Sequence, residues 1–107
     1  LAIYVVYVGP YSSILPTEQN YEVWKNAIEE EAQKTLNKVE KIADENNAKV
    51  KTMMLKGTPD EEIVKEAKKK DLIIMGNKGK SAVDRVLIGS VSEKVLHHSD
   101  ATVMIVR

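Results

Sequence analysis

Gly76 and Gly79 stand three residues apart, and Gly89-Ser90 follows ten residues after Gly79. The first stretch, Met75-Gly76-Asn77-Lys78-Gly79-Lys80-Ser81, leaves the end of a short apolar run, Leu72 to Met75. The second, Leu87-Ile88-Gly89-Ser90-Val91-Ser92-Glu93, leads into a segment that carries Val91, Val95 and Leu96 at helical spacing. Gly76 and Gly79 remove two side chains, so the loop backbone can take positive φ and bring its N–H groups close to a ligand. Ser90 with Glu93 three residues on reads as a capping box that opens a helix. Free N–H groups and the positive end of a helix dipole, beside a Gly-rich loop, form a cradle for phosphates, and the chemistry this points to is polyphosphate binding. The same residues admit a purely structural reading, in which Gly76 and Gly79 make a tight strand-to-helix turn and Gly89 relieves a bend. The stretch is not a Walker A loop, which would need Gly where Ile74 stands, and it lacks the dinucleotide pattern.

Other candidate groups give less. His97 and His98 are the only imidazoles, and neighbours on a helix point about 100° apart, so they do not readily grip one metal. They read as helix-end residues that complement the dipole. Hydrolysis of a bound nucleotide would need an acid to hold magnesium and a group to orient water, and Asp84 and Glu93 are the acids near the glycines. Ser81, Ser90 and Ser92 have no His and Asp partners placed by the sequence, so a hydrolase triad is not supported. Trp24 with Tyr21 and Ile28, the strand methionines, and Tyr4 and Tyr7 read as packing residues.

The elements that must position these residues alternate. Leu1 to Val8 is a continuous apolar run stopped by Gly9-Pro10, the pattern of a strand buried on both faces. Tyr11 to Thr17 reads as a loop. Tyr21, Trp24, Ile28, Ala32, Leu36, Val39 and Ala43 recur every three or four residues, which predicts one long amphipathic helix ending near Asn46-Asn47, where Asn tolerates the left-handed conformation. Lys49 to Leu55 is a second strand, with alternating charge suited to an edge. Thr58-Pro59-Asp60-Glu61 starts a helix that runs to about Lys70, acids first and Lys68, Lys69 and Lys70 last, matching its dipole. Leu72 to Met75, a helical segment to about His98, and Thr102 to Val106 complete the order. Strands alternating with helices predict a single α/β domain over residues 1–107, with a parallel sheet and right-handed crossovers. Ligands of such sheets collect beyond the carboxyl ends of the strands.

Composition narrows the function classes. The chain has 107 residues, 16 Lys plus Arg against 16 Asp plus Glu, and therefore no net pull toward nucleic acid or anionic lipid. With no Cys there is no disulfide framework, thiolate nucleophile or sulfur-bound zinc, which fits a reducing interior and makes the cytoplasm the expected location. The Leu1 to Val8 run is too short to span a bilayer and has no signal-peptide pattern. Because the chain opens on Leu1 directly in that run, the natural N-terminus is expected upstream.

Taken together, Gly76-x2-Gly79-x9-Gly89-Ser90, the strand with Asp71 before it, Gly57-Thr58-Pro59 before Ile63-Val64, and the closing Val103-Met104-Ile105-Val106-Arg107 resemble the universal stress protein family in its ATP-binding branch. The resemblance covers essentially the whole chain. It implies a Rossmann-like fold, an open parallel twisted sheet with helices on both faces, of which this sequence supplies four strands. It implies that Gly76, Asn77, Lys78, Gly79, Gly89, Ser90, Val91 and Ser92 lie against phosphates and ribose, that Met75 borders the base, and that Val8 contacts adenine. The implied ligand is ATP, or ADP or AMP, with magnesium as a companion ion. The implied partner is a second copy, paired through Thr102 to Val106. Family members begin with one more strand, ending in an Asp that holds adenine and ribose, and then a helix, and this sequence has neither. That strand belongs between Leu1–Val8 and Leu72–Met75. Four strands without it would leave a gap or pair otherwise, so a segment upstream of Leu1 or a truncated form is expected. Three functions follow from this reading: a nucleotide-binding stress or signalling module, a slow ATPase on the same site, or a dimerising module that binds no nucleotide.

Overall fold

The computed structural model describes residues 1–6, 18–77 and 88–107, in two compact units, Leu1–Thr58 and Pro59–Arg107. The first unit runs β1 (Ala2–Val6), α1 (Glu18–Glu45), β2 (Thr52–Lys56). β1 and β2 pair in parallel, with Ala2 opposite Thr52 and Val6 opposite Lys56. Backbone bonds from Ala2 N to Lys51 O (2.7 Å) and from Gly57 N to Val6 O (3.0 Å) extend the ladder at both ends. Gly57 has φ 146°, a value that a Cβ would disfavour, and it turns the chain out of β2.

Helix α1 follows the predicted period. It lies against both strands, and its Ala32 and Leu36, one turn apart, are buried together with Val6 of β1. Tyr21 and Trp24 form a tilted ring pair with centroids 6.1 Å apart. The helix ends as its two asparagines suggest: Asn47 takes φ 55°, Asn47 N donates to Asp44 O at 3.1 Å, and Ala48 N donates to Ala43 O at 2.8 Å. That crossed pair of bonds is a Schellman motif, which satisfies carbonyls the helix would otherwise leave open. The second strand begins later than the sequence predicts, because the exposed Lys49 and Lys51 precede it rather than alternate within it. Thr52 instead donates its hydroxyl to Glu40 Oε1 of α1 at 3.1 Å, and Lys56 Nζ stands 2.6 Å from Glu29 Oε1. The Lys56 ammonium, hydrogen-bonded to Glu29, holds that carboxyl below its ordinary value, and Glu29 raises Lys56 in return.

The second unit runs α2 (Pro59–Glu66), β3 (Leu72–Gly76), α3 (Ser90–His98), β4 (Thr102–Val106). β3 and β4 pair in parallel, Leu72 opposite Thr102 and Gly76 opposite Val106. Helix α3 lies against α2 and β4, and Val95 and Ala101 are buried in this unit. α2 opens at Pro59 with Asp60, Glu61 and Glu62 in its first turn, as read from the sequence, but it stops at Glu66. Lys68, Lys69 and Lys70 therefore lie past its end. The Asp71 carboxylate accepts from Lys68 N at 2.7 Å while Asp71 N donates to Lys68 O at 2.9 Å, a turn that draws the chain away from the helix before β3.

The class is α/β with parallel strands. The described strands form two parallel pairs, β1–β2 in the first unit and β3–β4 in the second. β3 and β4 alternate strictly: Ile73, Met75, Val103 and Ile105 are half-buried, while Leu72, Ile74, Met104 and Val106 are exposed. Among the described residues no helix is long and apolar enough to cross a membrane.

Candidate functional site

The carboxyl end of β3 is tied to β4 by one hydrogen bond and to the amino end of α3 by two. Asn77 N donates to Val106 O at 2.9 Å, carrying the β3–β4 ladder one residue beyond Gly76. Gly89 N donates to Asn77 O at 2.5 Å. Ser92 Oγ donates to Gly76 O at 2.6 Å. These contacts bring Gly76 and Asn77 together with Gly89, Ser90, Val91 and Ser92, although thirteen residues separate Gly76 from Gly89 in the chain. Val8, Lys78 and Gly79, the remaining residues implied by the resemblance, lie outside the described residues, as does Asp84.

The helix start differs from the capping box expected at Ser90. The N-cap is Gly89, at φ −74° and ψ 161°, with no side-chain cap, and Ser90 is the first helical residue. Glu93 N donates to Gly89 O at 3.0 Å, the first bond of the helix proper. Glu93 is one residue too far along to reach back to the cap, and its Oε1 stands 4.0 Å from His97 Nε2 instead. The Gly89 angles are open to any residue, so no bend demands glycine here. What glycine does is keep the cap free of a side chain.

The amides of a helix's first turn have no intrahelical carbonyl to bond, and they carry the positive end of the dipole. Gly89 N is taken by Asn77 O, and the amides of Ser90, Val91 and Ser92, which lack an intrahelical carbonyl, are the candidate donors to a ligand. Gly89 and Val91 are half-buried and Ser90 is exposed, so this turn is reached from solvent. Met75 is half-buried in β3, opposite Ile105. His98 Nδ1 bonds Lys94 O at 2.9 Å, so the two histidines serve separate contacts along the helix. Among the described residues no group of three His, Cys, Asp or Glu is placed to hold a metal ion. The bond from Ser92 to Gly76 is not predicted by the sequence. Its only signal there was a small hydroxyl residue three positions after Gly89, where a helix would turn it back toward the strand end.

Comparison with known proteins supplies the family. The profile of the Universal stress protein family matches residues 2–107. Universal stress protein MJ0531 of Methanocaldococcus jannaschii is 44% identical over 108 residues, covering 99% of this chain and 63% of that protein. Universal stress protein MJ0577 of the same organism is 39% identical over 85 residues, 78% of this chain and 52% of that protein. The chain thus spans between half and two thirds of the length of these relatives. A solved structure of MJ0577, reported as a structure-based assignment of biochemical function, matches with TM-score 0.84 and 33% identity over 97% of this chain and 71% of that one. Universal stress protein UspA from Lactobacillus plantarum matches with TM-score 0.79 and 25% identity over 99% of this chain and 75% of that one. With the family profile matched over residues 2–107 and a relative 44% identical along 99% of the chain's length, this chain belongs to the universal stress protein family.

Proposed function

We propose that the amino end of α3 and the carboxyl end of β3 bind the phosphates of an adenine nucleotide, ATP in the first place, as part of a stress-response or signalling module of the cytoplasm. The observation that carries this reading is Gly89: a helix cap whose backbone angles do not require glycine, left without a side chain beside open first-turn amides. A Cβ and its substituents would occupy the approach that a phosphate needs. Ser90, Val91 and Ser92 would donate through their main chain, and Gly76, Asn77, Lys78 and Gly79 would form the facing wall. Met75 and Val8 are assigned to the base. The nucleobase identity rests on the resemblance to the ATP-binding branch of the family, while the anion preference rests on the helix terminus. Bound nucleotide supplies charge to the site, and magnesium would accompany it through the phosphates. The protein acts as a homodimer through Thr102–Val106, whose outer edge pairs with no strand among the described residues.

Isothermal titration of the protein with ATP tests the reading. Saturable binding with one nucleotide per chain is expected, lost in Gly79→Val, where a branched side chain enters the phosphate loop. Equal affinity in wild type and Gly79→Val contradicts the cradle. Recovering the nucleotide after hours separates binding from turnover, and intact ATP is expected.

A further inference from the structure

Ser92 is the buried polar residue of this unit among the described residues, 4% exposed, and its hydroxyl donates to Gly76 O at 2.6 Å. A serine hydroxyl carries one proton, and a carbonyl oxygen only accepts, so that proton is committed to Gly76. Phosphate oxygens also only accept under neutral conditions. The hydroxyl that holds Gly76 therefore has no proton left for a phosphate. The peptide between Gly76 and Asn77 explains why the bond is needed. Its N–H, on Asn77, points to Val106 O, and in a trans peptide the carbonyl then points the opposite way, out of the β3–β4 ladder. Among the described residues, no strand on that side donates to this carbonyl. The next carbonyl, on Asn77, accepts Gly89 N. Two consecutive carbonyls at the end of β3 are thus held by donors from the start of α3.

We infer that the Ser92 hydroxyl is a positioning group: it braces the end of β3 against the first turn of α3 and so fixes where the first-turn amides point, without itself touching the nucleotide. The role in binding rests on the nucleotide reading given above, whereas the brace stands on the hydrogen bonds alone. A site held in its binding geometry before the ligand arrives loses less freedom on binding, which is what such a brace contributes.

Amide hydrogen exchange of the nucleotide-free protein, in wild type, Ser92→Ala and Ser92→Thr, reads the brace directly. The Gly89 amide is expected to exchange about tenfold faster in Ser92→Ala, as its bond to Asn77 loosens with the lost neighbour. Ser92→Thr, which keeps the donor, is expected to restore the wild-type rate, and the Ala48 and Gly57 amides of the other unit are expected not to change. Gly89 exchange that is unaltered in Ser92→Ala overturns the proposal. ATP titrations of the same proteins should show weakened binding in Ser92→Ala and recovery in Ser92→Thr. Weakened binding together with wild-type Gly89 exchange means that the hydroxyl contacts the ligand directly, and this also overturns the proposal. A wild type that binds no ATP while Ser92→Ala frees Gly89 supports the brace and removes the nucleotide reading. If Ser92→Ala does not fold, Ser92→Cys, of similar shape with a weaker donor, takes its place with the same expected direction.

Discussion

Gly89 is where the backbone's needs and those of the proposed ligand can be told apart. Its φ of −74° suits any residue, and an Asp there would both cap α3 and add a negative charge at the positive end of the dipole. Gly89→Asp should therefore raise stability slightly, by about 0.3 kcal/mol, because glycine is only a little poorer than Asp as a cap. The same carboxylate would occupy the phosphate approach and repel it. Thermal unfolding and ATP titration of this variant should move in opposite directions, and loss of both together would mean that Gly89 serves the fold alone. Asn47 shows the opposite case, a residue whose backbone does restrict it. At φ 55° a β-branched side chain collides with its own carbonyl, so Asn47→Val should cost about 1–2 kcal/mol in denaturant unfolding, far from any nucleotide effect. An unchanged midpoint would show that the Schellman turn can re-form without Asn47.

At the level of elements, the long period of α1, its end at the asparagine pair, the start of α2 at Pro59, and the bounds of β4 were all legible in the sequence. Each is fixed by strong local chemistry: a sustained apolar stripe, a left-handed cap, a proline at the first helical position, or a β-branched run. What could not be read were features decided by contacts across the fold. α2 gives up its lysine-rich end because Asp71, just before β3, takes the Lys68 amide. The cap of α3 falls on Gly89 rather than Ser90 because Asn77, twelve residues back, accepts the Gly89 amide. That Gly76, Gly89 and Ser92 come together was legible from their spacing, but not the bond that puts the Ser92 side chain on Gly76. The Glu29–Lys56 pair between α1 and β2 gives a prediction at this scale. Because Glu29 is lowered in the fold, its contribution is present above about pH 4.5 and fades as pH falls through the lower folded value. Because Lys56 is raised, its share is present below about pH 10.5 and fades as pH climbs through the higher folded value. Glu29→Gln should then be less stable than wild type at pH 7 and converge on it in strong acid. A gap of equal size at pH 7 and pH 3 in urea unfolding would assign the loss to something other than this pair. Added salt should narrow the pH 7 difference, since the pair lies at the surface.

For the whole molecule, the two strand pairs and the nearly complete match to the family set the questions of assembly. The carbonyl of Val106 faces β3, where it accepts from Asn77, and backbone groups alternate along a strand, so the amides of Val103 and Ile105 face the outer edge of β4. Val103→Pro would delete one of these outward donors while leaving the β3–β4 ladder its own bonds. Light scattering after gel filtration should report a dimer for wild type and a folded monomer for Val103→Pro. A dimer that survives the substitution would place the two-fold contact elsewhere.

The measurement that bears most directly on nucleotide binding is native mass spectrometry of the protein as purified and after addition of ATP, because chain mass, assembly and bound ligand appear in one spectrum. Binding at the α3 terminus predicts a dimer carrying one adenine nucleotide per chain, with the adduct missing from Gly89→Asp. A folded protein that carries no nucleotide at millimolar ATP, or an adduct that Gly89→Asp retains in full, would contradict it.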